Sequence, residues 1–241
     1  MCFTIEIHLS RKAIEERFRV DSSALYEFDF NYFYRAFTNP YIPVIAQEDP
    51  SSVQLMQWGL IPAWCRNQEE AERIRKGTYN ARSETLHEKP SFRTPFSRSR
   101  CLIIAGGFFE WQLVNEAKIP WYIRLKSGAP FVFAGLYDVW KDPLKGDVLR
   151  TCSVITTRAN PLMEKIHNTK KRMPVILREE AERDWISGDP TLLQRKKLLQ
   201  ALDESDLKAH TVSTRLSSSD ADPTDPSIIE ARETLSPGTL F

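Results

Sequence analysis

The chain has few cysteines, almost no net charge and no long apolar run. Its four cysteines, Cys2, Cys65, Cys101 and Cys152, are scattered, and none forms a C-x-x-C pair. Clustered zinc ligands are therefore not expected, and neither a metal nor a cofactor is called for. Sparse, separated thiols fit a reducing cytoplasm. No stretch approaches the roughly 20 apolar residues of a membrane span. The start, Met-Cys-Phe-Thr-Ile-Glu-Ile-His, has neither the basic region nor the apolar core of a secretory signal. Thirty-three Lys and Arg nearly cancel 32 Asp and Glu. Any polyanion must then be met by a local patch rather than by the whole surface. There is no internal repeat and no mid-chain linker.

What is present is a globular composition, 41% apolar and 27% charged, over 241 residues. Residues 2–8 alternate, with Phe3, Ile5 and Ile7 on one face and Cys2, Thr4, Glu6 and His8 on the other. This pattern predicts a half-buried strand almost at the terminus. Ser10 reads as the N-cap of a helix over 10–18. Short runs rich in β-branched and aromatic residues predict strands at 53–58, 101–105, 107–111, 120–125, 131–136 and 151–156. Helical patterns fall near 67–76, 160–166, 179–187 and 191–202. The order lacks regular βαβ alternation. The expected fold is α+β, a curved and mostly antiparallel sheet or barrel with peripheral helices, forming one domain over 1–216. Residues 217–241, with five acidic residues against one basic, read as an extended acidic tail that either trails from the domain or packs on it through Ile228 and Ile229.

Residues 73–100 hold eight Lys and Arg against two Glu. Tyr79, Phe92 and Phe96 are interleaved there with Arg82, Arg93 and Arg98. Such mixtures hold single strands by stacking and phosphate contact, although a solvated charged surface has the same composition.

Cys2 follows the initiator methionine. Loss of Met1 leaves an amine and a thiol on adjacent carbons. An α-amine has a pKa near 7.7, against about 10.4 for lysine, so part of it is nucleophilic at neutral pH. Such an amine condenses with an aldehyde, and the thiol can then close a five-membered thiazolidine. Asn80-Ala81-Arg82-Ser83-Glu84 offers an amide and a guanidinium fork. Glu110 lies between Phe109 and Trp111. It either faces water on an alternating strand or, buried against the aromatics, has a raised pKa suited to proton transfer. His167 follows a helix capped by Asn160-Pro161, and nearby cations bias it toward the neutral form. Trp58 and Trp64 flank Gly59-Leu60-Ile61-Pro62-Ala63, a fixed loop whose indoles either stack on bases or fill the core.

In this order the segments resemble the SRAP family, the SOS-response-associated peptidase family of abasic-site-binding proteins. The resemblance rests on Cys2, the Trp58–Pro62 loop, Asn80–Glu84, Gly107–Trp111 with Arg100-Cys101-Leu102 upstream, and His167 with Arg172-Met173-Pro174. Val212-Ser213-Thr214 and Asp222–Ile229 are similar to the family's closing region. The resemblance implies a β-barrel-like core and a groove for single-stranded DNA containing abasic sites. It implies a covalent crosslink from Cys2 to the abasic aldehyde, with Asn80, Glu110 and His167 as further catalytic residues. Arg82, Arg93 and Arg172 would meet phosphates, while Trp58 and Phe92 would support the splayed strand. The protein would be a cytoplasmic monomer that joins the nucleoid when bound to DNA. One departure stands out: the common pattern has one residue between the His and Arg-Met-Pro, and here there are four. Phe109 also stands where Tyr is frequent.

Two other activities use the same residues. In a thiol peptidase, Cys2 and His167 would form a nucleophile–base pair. In a non-catalytic single-strand binding module, only the groove would matter. Lyase activity on the abasic site is a further possible outcome of the same imine.

Overall fold

Short apolar strands, several buried on both faces, build two sheets. The computed structural model describes residues 2–187 and 191–232. The first sheet uses β3 (Tyr41–Ala46), β4 (Asp49–Trp58), β6 (Arg100–Ala105), β9 (Phe131–Lys141) and β10 (Val148–Arg158). Its order runs β10-β4-β3-β6-β9, and β9 pairs back onto β10, so five strands close into a barrel. Four of the five pairings are antiparallel. The β4–β10 pairing is parallel and short, matching Gln57 with Thr151 and Trp58 with Cys152. Beyond it, the same edge of β10 takes β5 (Asn80–Arg82) in parallel, and its opposite edge takes β11 (Arg172–Pro174). The expected curved α+β sheet is thus a closed, mixed barrel.

The second sheet is antiparallel, ordered β12 (Leu207–Thr211), β8 (Ala117–Leu125), β7 (Gly107–Val114), β1 (Thr4–Glu6) and β2 (Tyr34–Arg35). Asn115 and Glu116 connect β7 to β8, both at positive φ, as a two-residue turn matching the strand twist requires. Ile5, Ile7, Phe108 and Ile123 from this sheet share one apolar cluster with Val44, Met56, Trp58 and Phe133 from the barrel. The sheet's other face carries Phe109 and Tyr122. These pack with Phe33, Val212, Leu216 and Ile228.

The helices are α1 (Arg11–Phe18), α2 (Gln68–Arg75), α3 (Arg93–Arg98), α4 (Pro161–Ile166), α5 (Glu179–Ile186) and α6 (Leu192–Leu198). Two of their N-caps, those of α1 and α4, stand where the sequence places them. Ser10 accepts from the Ala13 amide, Asn160 accepts from Met163, and Pro161 opens α4. Among the described residues no helix is long and apolar enough to cross a membrane, and no group of three His, Cys, Asp or Glu could hold a metal.

Of the two courses open to the acidic segment, packing on the domain or trailing from it, its described part takes the first. Residues 217–232 pack back on the second sheet, with Ile228 buried and Arg232 exchanging hydrogen bonds with Thr211. Residues 233–241 of that expected tail lie outside the described residues.

Candidate active site around Cys2

β1 places the site. It lies between β2 and β7, with Thr4 opposite Arg35 on one side and Phe109 on the other. A terminus tied to two neighbours does not fray. Cys2, two residues ahead of β1, is fully buried. Its carbonyl accepts a 2.8 Å hydrogen bond from Asn80 Nδ2. Asn80 is held in turn by β5, which pairs it with Val154. The other amide atom, Asn80 Oδ1, is buried and accepts no hydrogen bond among the described residues. Burial pushes the Cys2 thiol well above its ordinary pKa, and the nearby Glu110 carboxylate adds to the rise.

Glu110 is 3% exposed. Burial raises its pKa to about 7, because desolvation disfavours the charged carboxylate. Of the two sequence alternatives, the structure takes the buried one. Phe109 anchors β7 on the far face, beside Tyr122 at 5.1 Å. Glu110 is thereby turned to the opposite side.

His167 ends α4 as its C-cap. Its Nδ1 lies 2.9 Å from the Arg172 carbonyl oxygen and 3.9 Å from Glu110 Oε1. A carbonyl only accepts, so Nδ1 carries the proton and Nε2 keeps the lone pair. Burial lowers its pKa to about 4, and Lys170 and Arg172 push the same way. The four residues separating His167 from Arg172 make one exposed turn. It closes through a Lys171 N–H to His167 carbonyl bond of 2.8 Å, with Lys171 at φ 50°. The extra residues loop outward and leave His167 beside Glu110.

Other sequence candidates lie elsewhere. Trp58 is fully buried, and its Nε1 donates to the Tyr79 carbonyl at 2.9 Å. Phe92, Phe96 and Tyr79 are buried too. Trp58, Phe96 and Tyr79 fill the core, whereas Phe92, 7% exposed, also lines a cleft with Asn80 and Arg82. Apolar area of that size is worth more inside than against water. Two of the eight cations in 73–100, Arg75 and Arg100, are likewise buried. Arg172 gives Nη1 to Glu84 at 2.7 Å and Nη2 to the Thr156 carbonyl at 2.7 Å. It ties β11 to the Asn80–Glu84 segment, so its guanidinium is already committed within the protein. Burial works to raise the Glu84 pKa, but the bond and charge of Arg172 outweigh it and hold the carboxyl below its ordinary value. Arg82 and Arg93 remain exposed.

Sequence reasoning missed a ring. Phe37 is 65% exposed, stacks on Phe3 at 4.8 Å and meets the Tyr79 edge at 5.4 Å. Phe3 and Phe37 line a cleft of ≈ 510 Å³ together with Glu110, Trp111 and His167. A lone Phe inside Ala36–Thr38, a short 3₁₀ turn, carries no periodic signal by which to find it.

The family model for SOS response associated peptidase (SRAP) matches residues 1–219. Abasic site processing protein YoqW of Bacillus subtilis is 47% identical over 167 residues, covering 68% of this chain and 70% of that one. Abasic site processing protein HMCES of Xenopus tropicalis is 34% identical over 184 residues, covering 68% of this chain and 53% of that one. A crystal structure of a Bacteroides thetaiotaomicron protein superposes with a TM-score of 0.91 at 36% identity, covering 96% of this chain and all of that one.

Proposed function

The chain belongs to the SOS response associated peptidase (SRAP) family, and on that premise we propose that it captures abasic sites in single-stranded DNA through Cys2 once Met1 has been removed. The observation that carries this reading is a convergence of side chains. Asn80 holds the Cys2 backbone, Glu110 acts electrostatically on the Cys2 thiol, and His167 lies against Glu110. The names of YoqW and HMCES supply the substrate class.

The chemistry balances without a cofactor. The neutral Cys2 amine adds to the open-chain aldehyde of the abasic sugar and gives a carbinolamine. Protonated Glu110 donates to the carbinolamine hydroxyl, which leaves as water, and an iminium remains. The thiol sulfur adds to the iminium carbon and its proton passes to Glu110. The products are a thiazolidine and one water, with Glu110 again protonated. A carboxyl near pH 7 suits both transfers. His167, neutral with Nε2 as its base, takes the C1 hydroxyl proton and returns it to the ring oxygen as the C1–O bond breaks, so the ring opens to the aldehyde with no net proton change. Arg82 and Arg93 meet flanking phosphates, and the Phe3–Phe37 pair supplies the stacking face.

A thiol peptidase needs a thiolate. Burial and Glu110 instead hold Cys2 protonated, which favours aldehyde capture over peptide cleavage. The test is intact mass after incubation with an abasic oligonucleotide. The expected product is the Met1-free chain plus oligonucleotide minus one water. Cys2→Ala should lose the heat-stable adduct while keeping an imine that borohydride traps. Equally stable adducts from Cys2→Ala would refute the thiazolidine.

A further inference from the structure

The outward turn at 168–171 is anchored. Asn168 Oδ1 accepts from the Leu113 amide at 3.0 Å, and its Nδ2 donates to the Leu113 carbonyl at 2.8 Å. One side-chain amide thus pairs with a strand edge as a neighbouring strand would. Gln112 Nε2 adds a bond to the Lys165 carbonyl at 3.1 Å. The turn is thereby fixed to the β7–β8 hairpin, where Leu113 lies directly opposite Lys118.

Two exposed ammonium groups result at one end of the cleft, Lys118 from the hairpin and Lys170 from the turn. Arg35 contributes a third cation from β2. Its Nη2 donates to the carbonyls of Leu216 and Ser218 at 2.7 and 2.6 Å, so dipoles hold it. Among the described residues none of the three is ion-paired with a carboxylate. β8 and β2 are three strand spacings apart, about 14 Å at roughly 4.8 Å each. The cations are therefore spread along the cleft rather than gathered at one point, and among the described residues Glu110 is the one acid lining it. Unpaired cations along a cleft with exposed aromatic surface suit a chain of phosphodiesters with bases attached.

We propose that Lys118 and Lys170, with Arg35, form a phosphate-binding wall for the DNA strand that passes the captured sugar. The turn between His167 and Arg172 is the device that builds it. This extends the aldehyde-capture reading and rests on it for the identity of the strand. The wall is separate from Arg82 and Arg93, which stand on and after β5.

The test is binding of an unmodified single-stranded oligonucleotide by fluorescence anisotropy across a salt series. Lys118→Ala/Lys170→Ala should lower the salt slope by about 1.4, at about 0.7 for each phosphate on a single strand. The wild type should then lose about sevenfold more affinity than the variant between 50 and 200 mM salt. Asn168→Ala, which frees the turn but keeps both charges, should weaken binding at low salt. An unchanged slope in the double lysine variant overturns the proposal. Because this readout uses no abasic site, it stands apart from crosslinking. A wild type that binds with the expected slope yet forms no adduct refutes the capture reading alone.

Discussion

Glu110→Gln is the most informative perturbation of the proposed chemistry. The capture step needs the terminal amine neutral and Glu110 protonated. The carboxyl titrates at about 7 because it is buried, and a terminal amine titrates near 7.7. The productive form is therefore a minority at every pH. Its share peaks near pH 7.4 at about one tenth, falling about fivefold by pH 6 and about tenfold by pH 9. His167, at about 4, stays neutral throughout and adds no limb. The assay is single-turnover adduct formation, quenched and resolved on a denaturing gel from pH 6 to 9. Glu110→Gln should be slower by about 100-fold, the usual worth of a positioned acid. More telling is the shape. The alkaline limb should vanish, leaving a rise to a plateau above the amine pKa. A Gln variant that keeps the alkaline limb, or a wild type flat over this range, would refute the assignment.

The same substitution should stabilise the fold at alkaline pH. A carboxyl raised from 4.5 to about 7 on folding contributes fully below pH 4.5, and that contribution is lost as pH climbs to 7. Glu110→Gln escapes the loss, so at pH 8 it should gain up to about 3 kcal/mol in urea unfolding. Asn80→Ala removes the 2.8 Å bond to the Cys2 carbonyl and should slow adduct formation about fivefold, near 1 kcal/mol. An unchanged rate would make Asn80 dispensable for seating Cys2. Arg172→Ala should cost about 2 kcal/mol of stability by leaving Glu84 and Thr156 without their partner; its DNA-binding salt slope should stay that of the wild type. In Gly107→Ala the new Cβ would sit 2.3 Å from the Tyr122 ring. About 1–3 kcal/mol of overpacking should show as a lowered Tm.

Much of the barrel could be read from local pattern. Its strands announce themselves as β-branched and aromatic runs, and helix caps such as Asn160-Pro161 have fixed local chemistry. The closure could not be read. Pairing β4 with β10 in parallel joins Trp58 to Cys152, and no short-range signal records so distant a partner. The site divides the same way. Cys2, Asn80, Glu110 and His167 were named by residue chemistry and resemblance, and the structure brings them together. For Trp58 the sequence leaves base stacking and core filling open, because an indole beside a Gly-Pro loop suits either, and its full burial decides for the core. Burial alone separates the two cases. Lys118, Lys170 and Arg35 come from three segments and line one cleft only in the folded chain.

The hydrogen bond from Asn80 to Cys2 also bears on timing. Cys2 leaves the ribosome 78 residues ahead of Asn80, a delay of about 4–16 s at about 5–20 residues per second. Glu110 and His167 follow later still, and so does Ile228, which packs behind β7. If Met1 leaves the nascent chain, the aminothiol exists as an open reagent before any of its seat has been made. During that interval it meets every small aldehyde in its surroundings with the intrinsic reactivity of free cysteine. Selectivity for a sugar on a DNA strand is thus acquired by folding, and rapid folding protects the warhead from premature quenching.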